Sequence, residues 1–350
     1  MKKAVTRIGF PVVFLLLTVA AGIGNIVATT GTSQAQKLYR AGEKKVYEKE
    51  WADGLNCFQK AAAQNPKFAE AWFGIGYCCE GLERYDEAIE AYKKAVSFKP
   101  DYAYAYCNMS GVWGKLGRHP EALEAIKQAI RIKPNYAQAY YNRAVTLQQL
   151  QLWDQAIESY KLALKMKAEP SDVYYNLGLV YAQLERWHDA IEALKKAIKI
   201  RWEYAEAFEV LGRAYCQVGN WPEAIEAYKQ MIIIRPESAE AHFNIGYAYG
   251  QVACFAEASR AFKRAVRIKP DYADAHISLG AVYNQRGLWQ EAIEASRRAV
   301  NLKPDSVEAH YNLGIGYIKT NNKDSALEEY RILEALDVNT ANALFGMINR

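Results

Sequence analysis

A period of 34 residues constrains this chain more than any other feature. Nine segments of that length follow one another without a gap, opening at residues 35, 69, 103, 137, 171, 205, 239, 273 and 307 and closing at Thr340. A length of 350 residues alone would suggest two globular domains. A fixed internal period points instead to an array, in which each unit buries its apolar face against its neighbours and no single central core is needed. Counting places from the first residue of each segment, the eighth is Gly42, Gly76, Gly178, Gly212, Gly246, Gly280 and Gly314, with Ser110 and Ala144 in the other two. The twentieth is Ala88, Ala122, Ala156, Ala190, Ala224, Ala258, Ala292 and Ala326, with Gly54 in the first segment. The twenty-seventh is alanine except at Met231 and Leu333. Small residues at fixed places let two helices approach closely, while bulky residues elsewhere fill the seams.

Each segment reads as two helices. In residues 69–102 the first is predicted from about Ala69 to Leu82, with Trp72, Ile75, Cys79 and Leu82 at helical spacing, and Gly81 with the Glu83-Arg84 turn ending it. The second carries Ala88, Ile89, Tyr92, Ala95, Val96 and Phe98, with Asp86 as its expected cap and Pro100 as its stop. Pro120 and Pro222 share the place of Asp86, at helix starts where a missing N–H does no harm. No stretch alternates as a strand would. Glu90, Glu124, Glu158, Glu192 and Glu226 precede Lys93, Lys127, Lys161, Lys195 and Lys229 by three residues. That spacing suits exposed ion pairs worth roughly a few tenths of a kcal/mol each. Lys99, Lys133, Lys167, Arg201, Arg235, Lys269 and Lys303 fall at the ends of second helices, where cations complement the dipole.

The set Trp72, Gly76, Tyr77, Ala88, Tyr92, Ala95 and Pro100, echoed through nine segments, resembles the tetratricopeptide repeat over residues 35–340. The resemblance implies an all-α, right-handed superhelical solenoid of antiparallel helix pairs, with first helices lining a concave groove and second helices outside. Its repeats are 35–68, 69–102, 103–136, 137–170, 171–204, 205–238, 239–272, 273–306 and 307–340, followed by a capping segment at 341–350 that can begin one further short helix. Ala168, Trp202 and Val338 replace the family's proline, with Pro170 displaced by two, and Lys323 stands where most other segments carry Trp or Tyr. These departures are expected to alter turns and leave the architecture alone. The polar Asn321-Asn322-Lys323-Asp324 turn suits a terminal repeat with one face in water.

The family's groove is lined from the second, fifth, sixth, ninth, twelfth and thirteenth places. The sixth holds Asn108, Asn142, Asn176, Asn244 and Asn312, a row that resembles the asparagine ladder in the repeats of O-linked N-acetylglucosamine transferase. Amide side chains both donate and accept, so such a row can bond the backbone of an extended peptide without reading its sequence. The fifth and ninth places add Tyr39, Phe73, Tyr77, Tyr141, Tyr175, Phe243, Tyr247 and Tyr311, and the thirteenth adds Gln149, Gln183, Gln217, Gln251 and Gln285. Aromatic rings there suit a partner surface, with burial against the next repeat as the other reading. On this reading, replacing Asn142 and Asn176 weakens a partner with little loss of melting temperature. The lysine and asparagine clamp that other members use for a C-terminal carboxylate finds no match. The expected function is a non-enzymatic scaffold or adaptor that binds a protein or peptide segment in its groove. The alternative is a self-associating structural assembly protein of a membrane, surface or secretion complex.

His242, His276 and His310 recur at the fourth place. Equivalent points on packed helices lie about 8–10 Å apart, whereas zinc ligands reach to about 2.1 Å, so no metal site is expected. The six cysteines, Cys57, Cys78, Cys79, Cys107, Cys216 and Cys254, show no C-x-x-C spacing, and repeat adjacency makes Cys107 with Cys78 or Cys79 the nearest candidates for a bridge. Gly74-Ile75-Gly76 and Gly314-Ile315-Gly316 lack the third glycine and preceding strand of a dinucleotide site. No catalytic residue and no cofactor are expected.

Residues 1–35 combine Lys2, Lys3 and Arg7, an apolar run at Val12–Ala21 and small residues at Ser33 and Ala35, which fits an exported, periplasmic or extracytoplasmic protein with a cleavable signal. The 21 uncharged residues of Ile8–Ala28 also suit a retained transmembrane anchor, the sole membrane contact expected, and both readings stay open. Three of the 44 basic residues lie in the first 34, where there is no acid, so 41 cations face 39 acids in the rest. That near-balance argues against a nucleic-acid partner, which needs a concentrated basic stripe.

Overall fold

A computed structural model describes residues 33–349. The chain divides into two compact units, up to Val173 and from Tyr174. The first holds four hairpins: α1 (Gln34–Tyr47) with α2 (Trp51–Gln64), α3 (Ala69–Gly81) with α4 (Tyr85–Phe98), α5 (Ala103–Lys115) with α6 (His119–Ile132), and α7 (Ala137–Gln149) with α8 (Trp153–Lys165). The unit boundary falls within α9 (Pro170–Gln183). The second unit continues with α10 (Trp187–Ile200), α11 (Ala205–Gln217), α12 (Trp221–Ile234), α13 (Ala239–Gln251), α14 (Phe255–Ile268), α15 (Ala273–Gln285), α16 (Trp289–Leu302), α17 (Val307–Lys319), α18 (Lys323–Leu336) and α19 (Val338–Ile348). The described residues contain no strand, and the fold is the all-α array of tandem hairpins that the period implies. Of the proposed signal or anchor at residues 1–35, residues 1–32 lie outside the described residues and Ser33 to Ala35 open α1, and no helix of the described residues is long and apolar enough to cross a membrane.

Within each unit a hairpin packs on the next, and first helices of successive hairpins also touch, as α5 does α7 and α15 does α17. First helices therefore lie side by side on one face. The alanines at place twenty from Ala88 to Ala326 are wholly buried, as are those at place twenty-seven. A third such row, Ala71, Ala105, Ala139, Ala207, Ala241, Ala275 and Ala309 at the third place, is also buried and completes the close helix packing.

The glycine at place eight faces the side chain at place twenty-four. A Cβ on Gly76 would lie 2.6 Å from the Tyr92 ring, so in this hairpin the ring seats against bare backbone. Phe58 is a wedge between hairpins: a Cβ would meet its ring at 2.7 Å from Gly42 in its own hairpin and at 2.8 Å from Gly74 in the next. In the last hairpin Leu344 of α19 takes this seat, 2.6 Å from a Cβ on Gly314, while Tyr330 stacks against Phe345 instead.

Each first helix ends in a residue of positive φ at place fifteen, and only Gly117, Gly219 and Gly287 are glycines there. Glu83, with φ of 60°, donates its N–H to Glu80, and Arg84 donates to Cys79 at 2.8 Å. This is the Schellman arrangement, whose two bonds satisfy helix-end carbonyls and hold a non-glycine residue left-handed. Asp86 does not cap α4. The helix begins one residue earlier with no side-chain cap, and Arg84 instead pairs with Glu87 at 2.5 Å. Of the proline departures, Ala168 is accompanied by a shorter α8 and a left-handed Lys167. At Val338 the turn vanishes, because Asp337 ends α18 and its side chain caps α19. Trp202 leaves an extended cap like its neighbours'. Asn322 caps α18, so the polar turn starts a helix as in the other segments.

Candidate functional site

The fifth-place rings point into the hairpin seams. Phe73 lies 5.6 Å from Tyr92 and 5.1 Å from Tyr102, and Phe243 repeats this with Phe262 at 5.6 Å and Tyr272 at 5.1 Å. Tyr39 sits likewise between Phe58 and Phe68, Tyr141 meets Tyr160, and Tyr175 meets Tyr204 at 4.7 Å. Tyr311 turns its hydroxyl toward Met347 of the capping helix. Place-thirty-one cations join these clusters: Lys99 bonds Glu70 at 2.8 Å and lies 4.7 Å from the centre of the Tyr102 ring. Their role thus extends beyond the helix dipole.

Sixth-place asparagines tie neighbouring first helices together. Asn142, buried, donates to the carbonyl of Cys107 at 3.1 Å and accepts from Gln138 at 2.9 Å. Asn312 donates to the carbonyl of Ile277 at 3.3 Å, the same step in the second unit. Asn108 reaches the Tyr92 hydroxyl at 3.4 Å, which itself donates to Glu80 at 3.2 Å. Asn176 and Asn244 are half-buried on their first helices. A side chain engaged as Asn142 is cannot be removed without a stability cost. Leaving its partners short costs about 1–3 kcal/mol, so the expectation of an unchanged melting temperature does not carry over to this position.

Ninth-place Tyr77 and Tyr247 pack edge-on against aromatic residues at place seventeen of the preceding repeat, Trp51 at 5.6 Å and Trp221 at 6.2 Å. Burial pushes the Tyr77 phenol up to about 12. Tyr247 keeps an exposed edge, and Gln149, Gln183, Gln217 and Gln251 are exposed at the ends of their first helices. These glutamines are the accessible members of the predicted set. A cleft of about 330 Å³ opens between α5 and α7, lined among others by Gly111, Gly114, Lys115, Asn142, Val145 and Gln149. The glycines at 111 and 114 escaped the sequence reading. Glycine at both the ninth and twelfth places of one repeat, found in no other, was the available signal.

His242, His276 and His310 each bring Nε2 to a proline carbonyl six residues earlier, at 3.0, 3.0 and 2.9 Å, as Trp72 does with its indole N–H at 2.8 Å. They hold the turns between repeats, and no three His, Cys, Asp or Glu residues gather for a metal among the described residues. All six cysteines are free thiols, and burial pushes those of Cys78 and Cys107 up to about 12, so they stay protonated.

His310 alone has a second acid-base partner, Glu329, whose Oε2 lies 2.6 Å from Nδ1. The Pro304 carbonyl can only accept, so Nε2 carries a proton and the Nδ1–carboxyl contact shares another. Burial holds the Glu329 carboxyl above its usual range, opposed by His310 and Arg297 and reinforced by Glu328. A raised folded pKa means the folded chain binds the proton more tightly. This stabilisation is full below the ordinary carboxyl value of 4.5 and is lost as pH rises through the folded value. We expect the melting-temperature advantage of the native chain over Glu329→Gln to shrink as pH rises above the ordinary carboxyl range. Parallel pH profiles for the two proteins would remove this account of the pair.

Family models described as TPR repeat match residues 115–151, 212–252 and 282–321, and models described as tetratricopeptide repeat match 39–103, 135–203 and 239–272. The search of curated proteins found no match. Among solved structures, that of MamA protein is 30% identical, covering 47% of this chain and 91% of its own, with a TM-score of 0.46. PilW, described as a widely conserved type IV pilus biogenesis factor, is 20% identical over 60% of this chain and 98% of its own, with a TM-score of 0.55. The C-terminal part of a TPR repeat-containing protein from Cytophaga hutchinsonii is 17% identical over 69% and 99%, with a TM-score of 0.61. The last two likenesses concern the fold alone.

Proposed function

The chain belongs to the tetratricopeptide-repeat family and is a protein–protein interaction scaffold, and from that premise we propose that it holds an extended segment of a partner along its first helices. The observation that carries this reading is the cleft between α5 and α7, which opens where the repeat's own side chains are smallest. Exposed Gln149 in the first unit, and Gln183, Gln217 and Gln251 in the second, each offer donors and acceptors to a backbone without demanding one sequence. The asparagines contribute by fixing the spacing of the helices, and the fifth-place rings by filling the seams beneath.

A photo-crosslinking residue placed in cells at Gln149 or Gln217 should yield adducts to a partner. The same residue at Lys127 or Lys229, exposed on second helices, should yield few. Equal adducts from the second helices, or none from the glutamines, would count against a groove on the first-helix face.

A further inference from the structure

We propose that the cleft between α5 and α7 receives an aromatic side chain of the bound segment. This rests on the reading that a partner lies along the first helices and names what one point of that face selects. The argument comes from the repeat itself. At two steps of the array the ring at place seventeen packs edge-on against a tyrosine at place nine of the next repeat, Trp51 with Tyr77 at an interplanar angle of 65° and Trp221 with Tyr247 at 68°. At the step between them in the first unit, place seventeen is Tyr85 and place nine is Gly111, the one glycine at that place in nine repeats. The ring is therefore present with no side chain at place nine to cover it, whereas the other steps carry Val145, Leu179, Arg213, Ala281 or Ile315 where they lack a tyrosine, and both Tyr85 and Gly111 line the cleft.

The remaining walls mix apolar surface with the hydroxyls of Ser110 and Thr146 and the amides of Asn142 and Gln149. Val145 and the Tyr85 ring supply apolar surface, and a Cβ built on Gly114 meets nothing within 4 Å, so the space beside α5 is open. Lys115 lies at this place with its ammonium 5.4 Å from the centre of the Tyr85 ring and 2.9 Å from Glu80, as Lys319 lies 5.9 Å from Trp289 at the same step of the last repeat. An incoming ring would be offered an edge-to-face partner and a nearby cation, both favourable to aromatic over aliphatic groups. The volume of about 330 Å³ is ample for a phenol or indole ring.

The test uses the full chain and a set of short, polar, otherwise identical peptides carrying one central Trp, Tyr, Leu or Ala, with affinity read by fluorescence anisotropy. The Trp and Tyr peptides should bind about tenfold or more tightly than the Ala peptide. Gly114→Leu, which fills the open space, should abolish that preference with an unchanged or raised melting temperature, since it replaces a helical glycine. Gly114→Ala is the control and should keep most of the preference. Binding that ignores the central residue, a Leu peptide equal to the Trp peptide, a preference that survives Gly114→Leu, or no binding by any peptide would each overturn the proposal. The crosslinking contrast between Gln149 and Lys127 judges the groove separately, so either reading can fail alone.

Discussion

Replacing Tyr92 with alanine is expected to lower the stability of the first unit by about 3–5 kcal/mol, the usual cost of deleting a buried aromatic side chain. Tyr92 is wholly buried, its ring lies over Gly76 where no Cβ would fit, and Phe73 packs 5.6 Å away. Alanine leaves a cavity that the helices cannot close, because Ala88 and Ala95 already hold α4 at its closest approach. The hydroxyl adds its own part, since Glu80 and Asn108 both meet it. Tyr92→Phe, which keeps the ring, should therefore lose only about 1 kcal/mol. Urea denaturation with hydrogen exchange across α3 and α4 separates these effects. Lys93→Ala, one residue on and exposed, should stay within about 0.5 kcal/mol. If Tyr92→Ala matched that surface control, the seam between places eight and twenty-four would not be what holds the hairpin closed.

The second large effect is expected at the C-terminal end, where Leu344→Ala should cost about 2–5 kcal/mol. Leu344 has no exposed surface and occupies the seat over Gly314 that a second-helix side chain fills in the other glycine-bearing hairpins, apart from the small Ser296 in the eighth. Ala341, Leu333 and Ile348 are buried with it in one cluster. Losing this contact should release α19 and raise exchange in α17 and α18 while leaving the first unit's protection unchanged, because repeat arrays transmit stability through nearest neighbours. Uniform loss of protection through both units would contradict that locality.

The hairpins were legible in the sequence because two requirements recur every 34 residues: close helix approach and bulky seams. Places eight, twenty and twenty-seven announced them, and the buried row beginning Ala71 was equally readable but overlooked. The left-handed turns were harder to see. Glu83, Gln151 and Ala253 adopt a conformation associated with glycine, and only the helix-end hydrogen bonds explain it.

The candidate site was less legible, for a geometric reason. Places five and six stand about 100° apart on one helix, so periodicity alone cannot say which meets a neighbour and which meets a partner. The stacking of hairpins decides this, turning Phe73 and Phe243 into the seams and tying Asn142 and Asn312 to adjacent backbone while leaving the glutamine row outside. What marked the cleft was a departure from the repeat, Gly111 and Gly114, rather than its agreement.

The Phe58 wedge bears on how such a chain can be rearranged. Its ring presses on Gly74, the sixth place of the following repeat, where five other repeats carry asparagine. A shuffled chain that set any of those five directly behind the first repeat would place a Cβ where the Phe58 ring now lies, and that ring would have to move. At this junction the first repeat is thus cut to receive the second, and the pair reads as two words in a fixed order rather than one syllable spoken twice.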